Sequence, residues 1–344
     1  MTMGSKYGAH RVLEPKGLLP QAAQIIDNTM TLYDNEILID VSALNIDAAS
    51  FRQLWEEAEG DEERLKDKIK AIVNERGKMQ NPVTGSGGML MGTVAQIGEA
   101  LKGRDLAVGD RIATLVSLSL TPLSIEAITA VHPAIERVEI KGQAILFESG
   151  IYAKLPSDMS ENLALAVLDV AGAPAQTARI VKPKDSVLIL GAGGKSGMLC
   201  AYEAMRRVGP SGNVVGMSRN DRPKDKLLRN KLLHSFFVAD AQNPTEVLDK
   251  ALALNNGEEY DVVINVVNID GTEMSSILPA KEGGIVYFFS MATSFTRAAL
   301  GAEGVGKDVT MIIGNGYTKN HADFSIEVIR ESEALRNIFE TTYL

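Results

Sequence analysis

The chain has 344 residues, enough for two domains and a sizeable core, and its 23% charged and 45% hydrophobic residues describe a globular rather than a disordered protein. A formal charge of −9 argues against a broad nucleic-acid surface, and the absence of any run of about 20 apolar residues argues against a membrane span. Residues 1–10 lack an apolar signal core, so the expected compartment is the cytoplasm. The single cysteine, Cys200, excludes an intrachain disulfide and a Cys-rich zinc site, and its apolar neighbours suggest a small core residue.

In chain order, the first third reads as β-rich. Short strands are expected at Glu36–Val41, Gly92–Ile97 and Arg111–Val116, punctuated by turns such as Val108-Gly109-Asp110. Between them, Phe51 to Lys78 is charged, with Leu65, Ile69 and Ile72 at helical spacing; this predicts an amphipathic helical insert anchored by Trp55. From about Ser160 the rhythm changes. A helical stretch over Leu163–Val181 precedes an apolar run, Ser186–Leu190, a glycine turn and another helix. Strands follow at Asn213–Met217, Ser235–Val238, Tyr260–Val266, Gly284–Phe289 and Val309–Ile313, and one amphipathic helix, Phe324–Tyr343, closes the chain. The reading is an α/β protein: a β-rich domain over 1–160 with the insert at 51–78, a doubly wound parallel-sheet domain over 161–320, and a closing helix over 321–344.

The glycine turn is the most informative segment. Strand, glycines and helix start follow one another in the order a dinucleotide needs, because glycines let the backbone approach a pyrophosphate and the helix start presents N–H groups to its charge. Gly191, Gly193, Gly194 and Gly197 are the expected cofactor loop, with Ser196 as an added donor and Lys195 either on the phosphates or in solvent. The next strand ends in Ser218-Arg219 rather than in the acidic residue that would hold a ribose 2′-hydroxyl. An arginine there suits a 2′-phosphate, so the cofactor expectation is NAD or NADP with a lean to NADP.

Several segments taken in order resemble the medium-chain dehydrogenase/reductase superfamily: Glu36–Asp47 as its first strand and catalytic turn, Pro82–Gly87 with Gly92-Thr93-Val94 as its central hairpin, and Leu106–Ile112 as its turn before the next strand. The resemblance implies a GroES-like catalytic domain followed by a Rossmann domain. At the positions of the catalytic zinc ligands this chain has Asp47, Ser86 and about Ala166, a set unsuited to tetrahedral zinc; His10, His132, His234 and His321 are scattered, so no metal is expected. The usual final return of the chain into the first domain looks shortened or absent. Six blocks (Lys6–Val12, Asn81–Leu90, Leu146–Tyr152, Asp169–Gln176, Gly191–Cys200 and Tyr287–Gly306) resemble the 3,5-diaminohexanoate dehydrogenase family more specifically. That resemblance implies oxidative deamination of (3S,5S)-3,5-diaminohexanoate to 5-amino-3-oxohexanoate and ammonia in anaerobic lysine degradation. The alternatives are a zinc-free quinone or enoyl reductase, which would need no dedicated carboxylate, and a non-catalytic nucleotide-binding protein.

Amine oxidation needs a group that takes the ammonium proton and later activates water, a task for one carboxylate. Asp47 is the first candidate, at the position of a metal ligand in zinc relatives; its alternative role is to cap the helix that begins at Ala48. Asp169 is the second, its alternative being a structural pair with an arginine such as Arg179. Ser86 is expected to line the site, and Glu148, in a β-domain turn, to hold the distal C5 ammonium or stay solvated. Ser290 and Ser294 follow an apolar strand, where open α/β sheets bind ligands, and are candidates for nicotinamide and substrate contacts, or merely for local loop bonding. Arg11, Arg297 and Lys319 compete for the substrate carboxylate. An apolar last strand predicts a homodimer, or a higher oligomer, through the Val309–Ile313 edge.

Overall fold

A computed structural model describes residues 2–314 and 316–343. The chain divides into two compact units, Met1–Ser157 and Asp158–Leu344.

The first unit opens with a small antiparallel pair, β1 (Val12–Glu14) and β2 (Ile25–Ile26). Its main sheet holds six strands: β3 (Glu36–Ile46), β4 (Gly88–Ile97), β5 (Arg111–Thr114), β6 (Leu123–His132), β7 (Arg137–Phe147) and β8 (Tyr152–Lys154). They are antiparallel in the order β6-β7-β3-β4-β5-β8, the GroES-like half. Alternation in β3 buries Ile37, Ile39, Val41 and Ala43, and a bulge between Val41 and Ala43 lets the strand run on to Ile46, five residues past its expected end.

The insert is two helices, α1 (Ala48–Glu57) and α2 (Glu62–Arg76), rather than one. The break is chemical: Glu59 and Gly60 take positive φ, and Asp61 caps α2 by accepting from the Arg64 N–H. Leu54, Leu65, Ile69 and Val73 join the core of the sheet, while Trp55 stacks on Phe51 at 6.1 Å and packs on that core, as the sequence suggests.

In the second unit, α3 (Glu161–Leu168) and α4 (Gly172–Ile180) replace the single expected helix over Leu163–Val181. The parallel sheet follows: β9 (Ser186–Leu190), α5 (Lys195–Val208), β10 (Asn213–Ser218), α6 (Lys224–Arg229), β11 (Ser235–Val238), α7 (Pro244–Ala253), β12 (Tyr260–Asn265), α8 (Glu273–Ile277), β13 (Ala280–Phe288), α9 (Phe295–Val305) and β14 (Thr310–Ile313). The order β11-β10-β9-β12-β13-β14 is the Rossmann arrangement, with the strand order reversing between β9 and β12. Both faces of the sheet are covered, so β9, β10 and β12 are nearly continuous apolar runs. The closing helix is also two, α10 (His321–Glu331) and α11 (Glu333–Tyr343), because Ser332 turns extended and its hydroxyl accepts from the Leu335 N–H.

Cys200 is fully buried on α5, and burial pushes its thiol up to about 12, which fits a core residue and not a nucleophile. Among the described residues no helix is long and apolar enough to cross a membrane.

Candidate functional site

The glycine loop lies at the carboxyl end of β9, beside the reversal of strand order. Gly191 takes φ +88, and its N–H and that of Ala192 both donate to the Met217 carbonyl, which ties the loop to the end of β10. A Cβ on Gly197 would stand 2.2 Å from the Gly191 oxygen, so only glycine lets α5 start this close to β9. At Gly194 an added Cβ would meet nothing nearer than 3.7 Å, so that face of the loop is open. Gly194 precedes α5 without a side chain to cap it, leaving the first-turn N–H groups, including those of Lys195 and Ser196, without an intrahelical acceptor. An open face bordered by helix-start amides is what a pyrophosphate requires, so the residues fit a nicotinamide dinucleotide.

Beyond the loop lies a cavity of about 510 Å³, lined by Gly191, Gly193, Gly194, Ser218, Arg219 and Arg222 among others, with Lys226 and Asp240 also on its wall. The Ser218 hydroxyl accepts from the Gly193 N–H at 3.2 Å, so it braces the loop. Arg219 is exposed at the cavity. Arg222 and Lys226, which the sequence reading passed over, add two cations to the same wall; a basic cluster just after the second parallel strand was the signal for them.

Asp169, the second candidate for the base, and Lys195, expected either on the phosphates or in solvent, pair with each other at 2.8 Å. The partner of Asp169 is therefore Lys195 and not Arg179. Ser290 follows β13, where its hydroxyl accepts from the Ala292 N–H and donates to Asn268 at 3.3 Å. Ser294 caps α9 by accepting from the Arg297 N–H, and its own N–H donates to Glu273. Neither serine lines the cavity. Both sit in the local bonding weighed as their alternative role.

The first unit gathers the remaining candidates differently. Asp47 lies between β3 and α1: Oδ1 accepts from the Ser50 N–H at 3.0 Å, so the residue is indeed a helix cap. Its other oxygen, Oδ2, accepts from the Ser86 hydroxyl at 2.6 Å. Capping thus consumes one oxygen and leaves the second on Ser86, so the two candidates meet in space. Ser86 arrives there because Gly88, at φ +109, passes so close to β3 that a Cβ would stand 2.0 Å from the Asn45 oxygen. Buried Asn81 holds the turn: its side-chain amide donates to the Ser50 carbonyl and to Gln53, and its Oδ1 accepts from the Val83 and Thr84 N–H groups. Sequence reasoning missed Asn81, Ser50 and Thr84, although an Asn-Pro turn opener was visible.

Glu148 is elsewhere. It accepts from the Asn35 side chain at 3.0 Å and follows β7 where Phe147 pairs with Glu36, at the start of β3. Asp47 follows the other end of β3, about 30 Å along the strand. Glu148 therefore does not join the Asp47–Ser86 pair. Arg11 is corrected as well: it is fully buried, binds Glu36 through two nitrogens at 2.7 and 2.6 Å, and donates to the Asp27, Thr29 and Thr31 carbonyls. A guanidinium so occupied has no donor left for a substrate. Arg297 pairs with Asp270 at 2.8 Å, while Lys319 is exposed.

At the positions where the sequence resemblance would place catalytic zinc ligands, the residues do not fit the metal. Asp47 is paired with a hydroxyl, and among the described residues no group of three or more His, Cys, Asp or Glu side chains is placed to hold a metal.

Comparison with known proteins places the chain in a family. A family model for the L-erythro-3,5-diaminohexanoate dehydrogenase N-terminal domain matches residues 10–156. A protein of Acetoanaerobium sticklandii named L-erythro-3,5-diaminohexanoate dehydrogenase is 67% identical over 342 residues, covering 99% of each chain. A second of that name, from Fusobacterium nucleatum subsp. nucleatum, is 64% identical over 345 residues, covering 100% of each. Among solved structures, the quinone oxidoreductase from Coxiella burnetii superposes with a TM-score of 0.53 at 18% identity, covering 94% of this chain and 93% of that one, a likeness of fold. With its relatives matched from end to end, this chain belongs to the L-erythro-3,5-diaminohexanoate dehydrogenase family.

Proposed function

We propose that this chain is a nicotinamide-dependent oxidative deaminase that converts L-erythro-3,5-diaminohexanoate, the (3S,5S) form, to 5-amino-3-oxohexanoate and ammonia in anaerobic lysine degradation. The observation that carries the reading is identity of about two-thirds with dehydrogenases of that name along the whole chain. A bound nicotinamide cofactor supplies the acceptor for the hydride leaving C3. The chain's own residues supply the rest. The glycine loop and the first turn of α5 hold the pyrophosphate, and the cavity beside them takes the adenosine end. Arg219, Arg222 and Lys226 favour a ribose that carries a 2′-phosphate, so the preferred cofactor in this reading is NADP.

Asp47 is the base. It takes the C3 ammonium proton, so that the nitrogen lone pair can drive hydride loss, and then activates the water that adds to the iminium carbon. Two oriented donors, the Ser50 N–H and the Ser86 hydroxyl, fix its plane. Asp169 is the weaker candidate because Lys195 already engages its carboxylate. Metal takes no part in this chemistry. The enzyme works in the cytoplasm as a homodimer, or a multiple of it, joined along β14, whose Ile313 is exposed at the sheet edge.

The test is a cofactor-reduction assay with the diamino acid, run beside quinone turnover with reduced cofactor. Oxidation of the diamino acid with release of ammonia is the expected result. Quinone reduction without amine oxidation would overturn the assignment.

A further inference from the structure

Around Asp47 the structure closes a ring of three hydroxyls. Ser86 Oγ lies 2.6 Å from Asp47 Oδ2, 2.8 Å from Ser50 Oγ and 3.1 Å from Thr84 Oγ1, and Ser50 Oγ lies 2.5 Å from Thr84 Oγ1. Ser50 is fully buried, Asp47 and Ser86 are half-buried, and Thr84 is exposed. The cluster therefore runs from a carboxylate, through hydroxyls, to water.

Counting hydrogens gives this ring a direction. Each hydroxyl has one hydrogen to donate and two lone pairs to accept with. An ionised Asp47 only accepts, so the Ser86 hydrogen goes to it, and the Ser86 oxygen must accept from Ser50 or Thr84. When Asp47 is protonated every arrow can reverse: Asp47 donates to Ser86, Ser86 to Ser50 or directly to Thr84, and Thr84 to water. In each transfer one O–H bond breaks and one forms, so every hydroxyl ends with the single hydrogen it began with.

Oxidative deamination needs such an outlet. A substrate ammonium, water and an oxidised nicotinamide cofactor become a ketone, an ammonium ion, the reduced cofactor and one free proton. The base must therefore lose a proton to bulk water in every turnover. We infer that Ser86, Ser50 and Thr84 form a proton chain that empties Asp47 to solvent at Thr84. The inference rests on Asp47 being the base. Buried Asn81 makes the chain a built feature, because it holds the Thr84 N–H and the Ser50 carbonyl together. Ser86 has two routes to Thr84, so Ser50 is the less critical member.

The experiment follows proton appearance with an indicator dye in weak buffer and cofactor reduction by absorbance, in the full-length enzyme. Thr84→Val keeps the shape and removes the outlet. Turnover in weak buffer should fall at least about 10-fold, proton release should lag cofactor reduction, and imidazole, a small diffusible base, should restore the rate. Thr84→Ser should retain wild-type behaviour, and Ser50→Ala should cost less than Thr84→Val. Ser86→Ala should give the same signature as Thr84→Val. Should it unfold, as a melting curve would reveal, exposed Thr84 still carries the test. Wild-type turnover and no imidazole effect in Thr84→Val, with Asp47→Asn inactive, would reject the chain and leave Asp47 as the base. Wild-type turnover in Asp47→Asn would reject both.

Discussion

The two halves of this enzyme build their sites by opposite means. In the second unit the proposed cofactor loop is one contiguous segment, Gly191–Gly197, working through backbone shape: a positive φ at Gly191, a close helix start at Gly197 and an open face at Gly194. In the first unit the Asp47 cluster works through side chains brought from separate elements, Asp47 and Ser50 from the start of α1 and Thr84 and Ser86 from a turn more than 30 residues away. A backbone site tolerates change in most side chains but none in its glycines. A side-chain cluster should respond to single-atom changes while the fold stays intact. The contrast yields a graded set of tests.

The largest effect is expected at Asp47. Asp47→Asn keeps one oxygen to accept from the Ser50 N–H, and its amide can donate to Ser86 once the hydroxyls reorient, so cap and stability should survive. Turnover should fall about 10²–10⁴-fold with cofactor affinity nearly unchanged, as steady-state kinetics and cofactor titration would show. A near-wild-type rate would transfer the base role to Asp169.

Next comes Arg219→Ala. Losing one charge-assisted phosphate contact costs about 1.5–3 kcal/mol, so NADP should bind roughly 10- to 150-fold more weakly while NAD is almost unaffected. Equal losses for both cofactors would make Arg219 structural. The glycine pair separates packing from binding. Gly197→Ala places a methyl against backbone and should lower unfolding stability by about 1–3 kcal/mol. Gly194→Ala should leave thermal stability alone and weaken cofactor binding, because its Cβ would enter open space on the ligand face.

Smaller still is a pH effect in the second unit. His321 is buried at the start of α10 and His234 is partly buried; desolvation holds both below their usual value of 6.5. Unfolding lets them take up protons that the folded state refuses. Stability from this source is complete above pH 6.5 and declines as pH falls toward the folded-state values, by at most about 1.4 kcal/mol per pH unit per group. Melting curves between pH 7 and 5, a range chosen around the roughly 6.5 histidine value, should flatten in His321→Gln. The smallest expected effect is none at all: a strong chelator should leave turnover unchanged, whereas loss of activity reversed by zinc would restore a metal to the mechanism.

The sequence by itself determined whatever is local. The strand–glycine–helix order, the alternating β and α rhythm after Ser160 and the core role of Cys200 were all legible, because hydrophobic periodicity and glycine spacing act over a few residues. Helix breaks were not. The Ser332 and Asp61 caps look like ordinary helix residues until the chain turns there, and with α3 and α4 three pairs of helices read as one each. Tertiary structure alone decided which polar groups meet. It joined Asp169 to Lys195, put Arg11 on Glu36, sent Glu148 to the far end of β3, and set Ser86 on the free oxygen of Asp47. A hydrogen bond depends on an approach within about 3 Å, and strand register and the close passage of Gly88 bring distant residues within that reach, which no local spacing encodes.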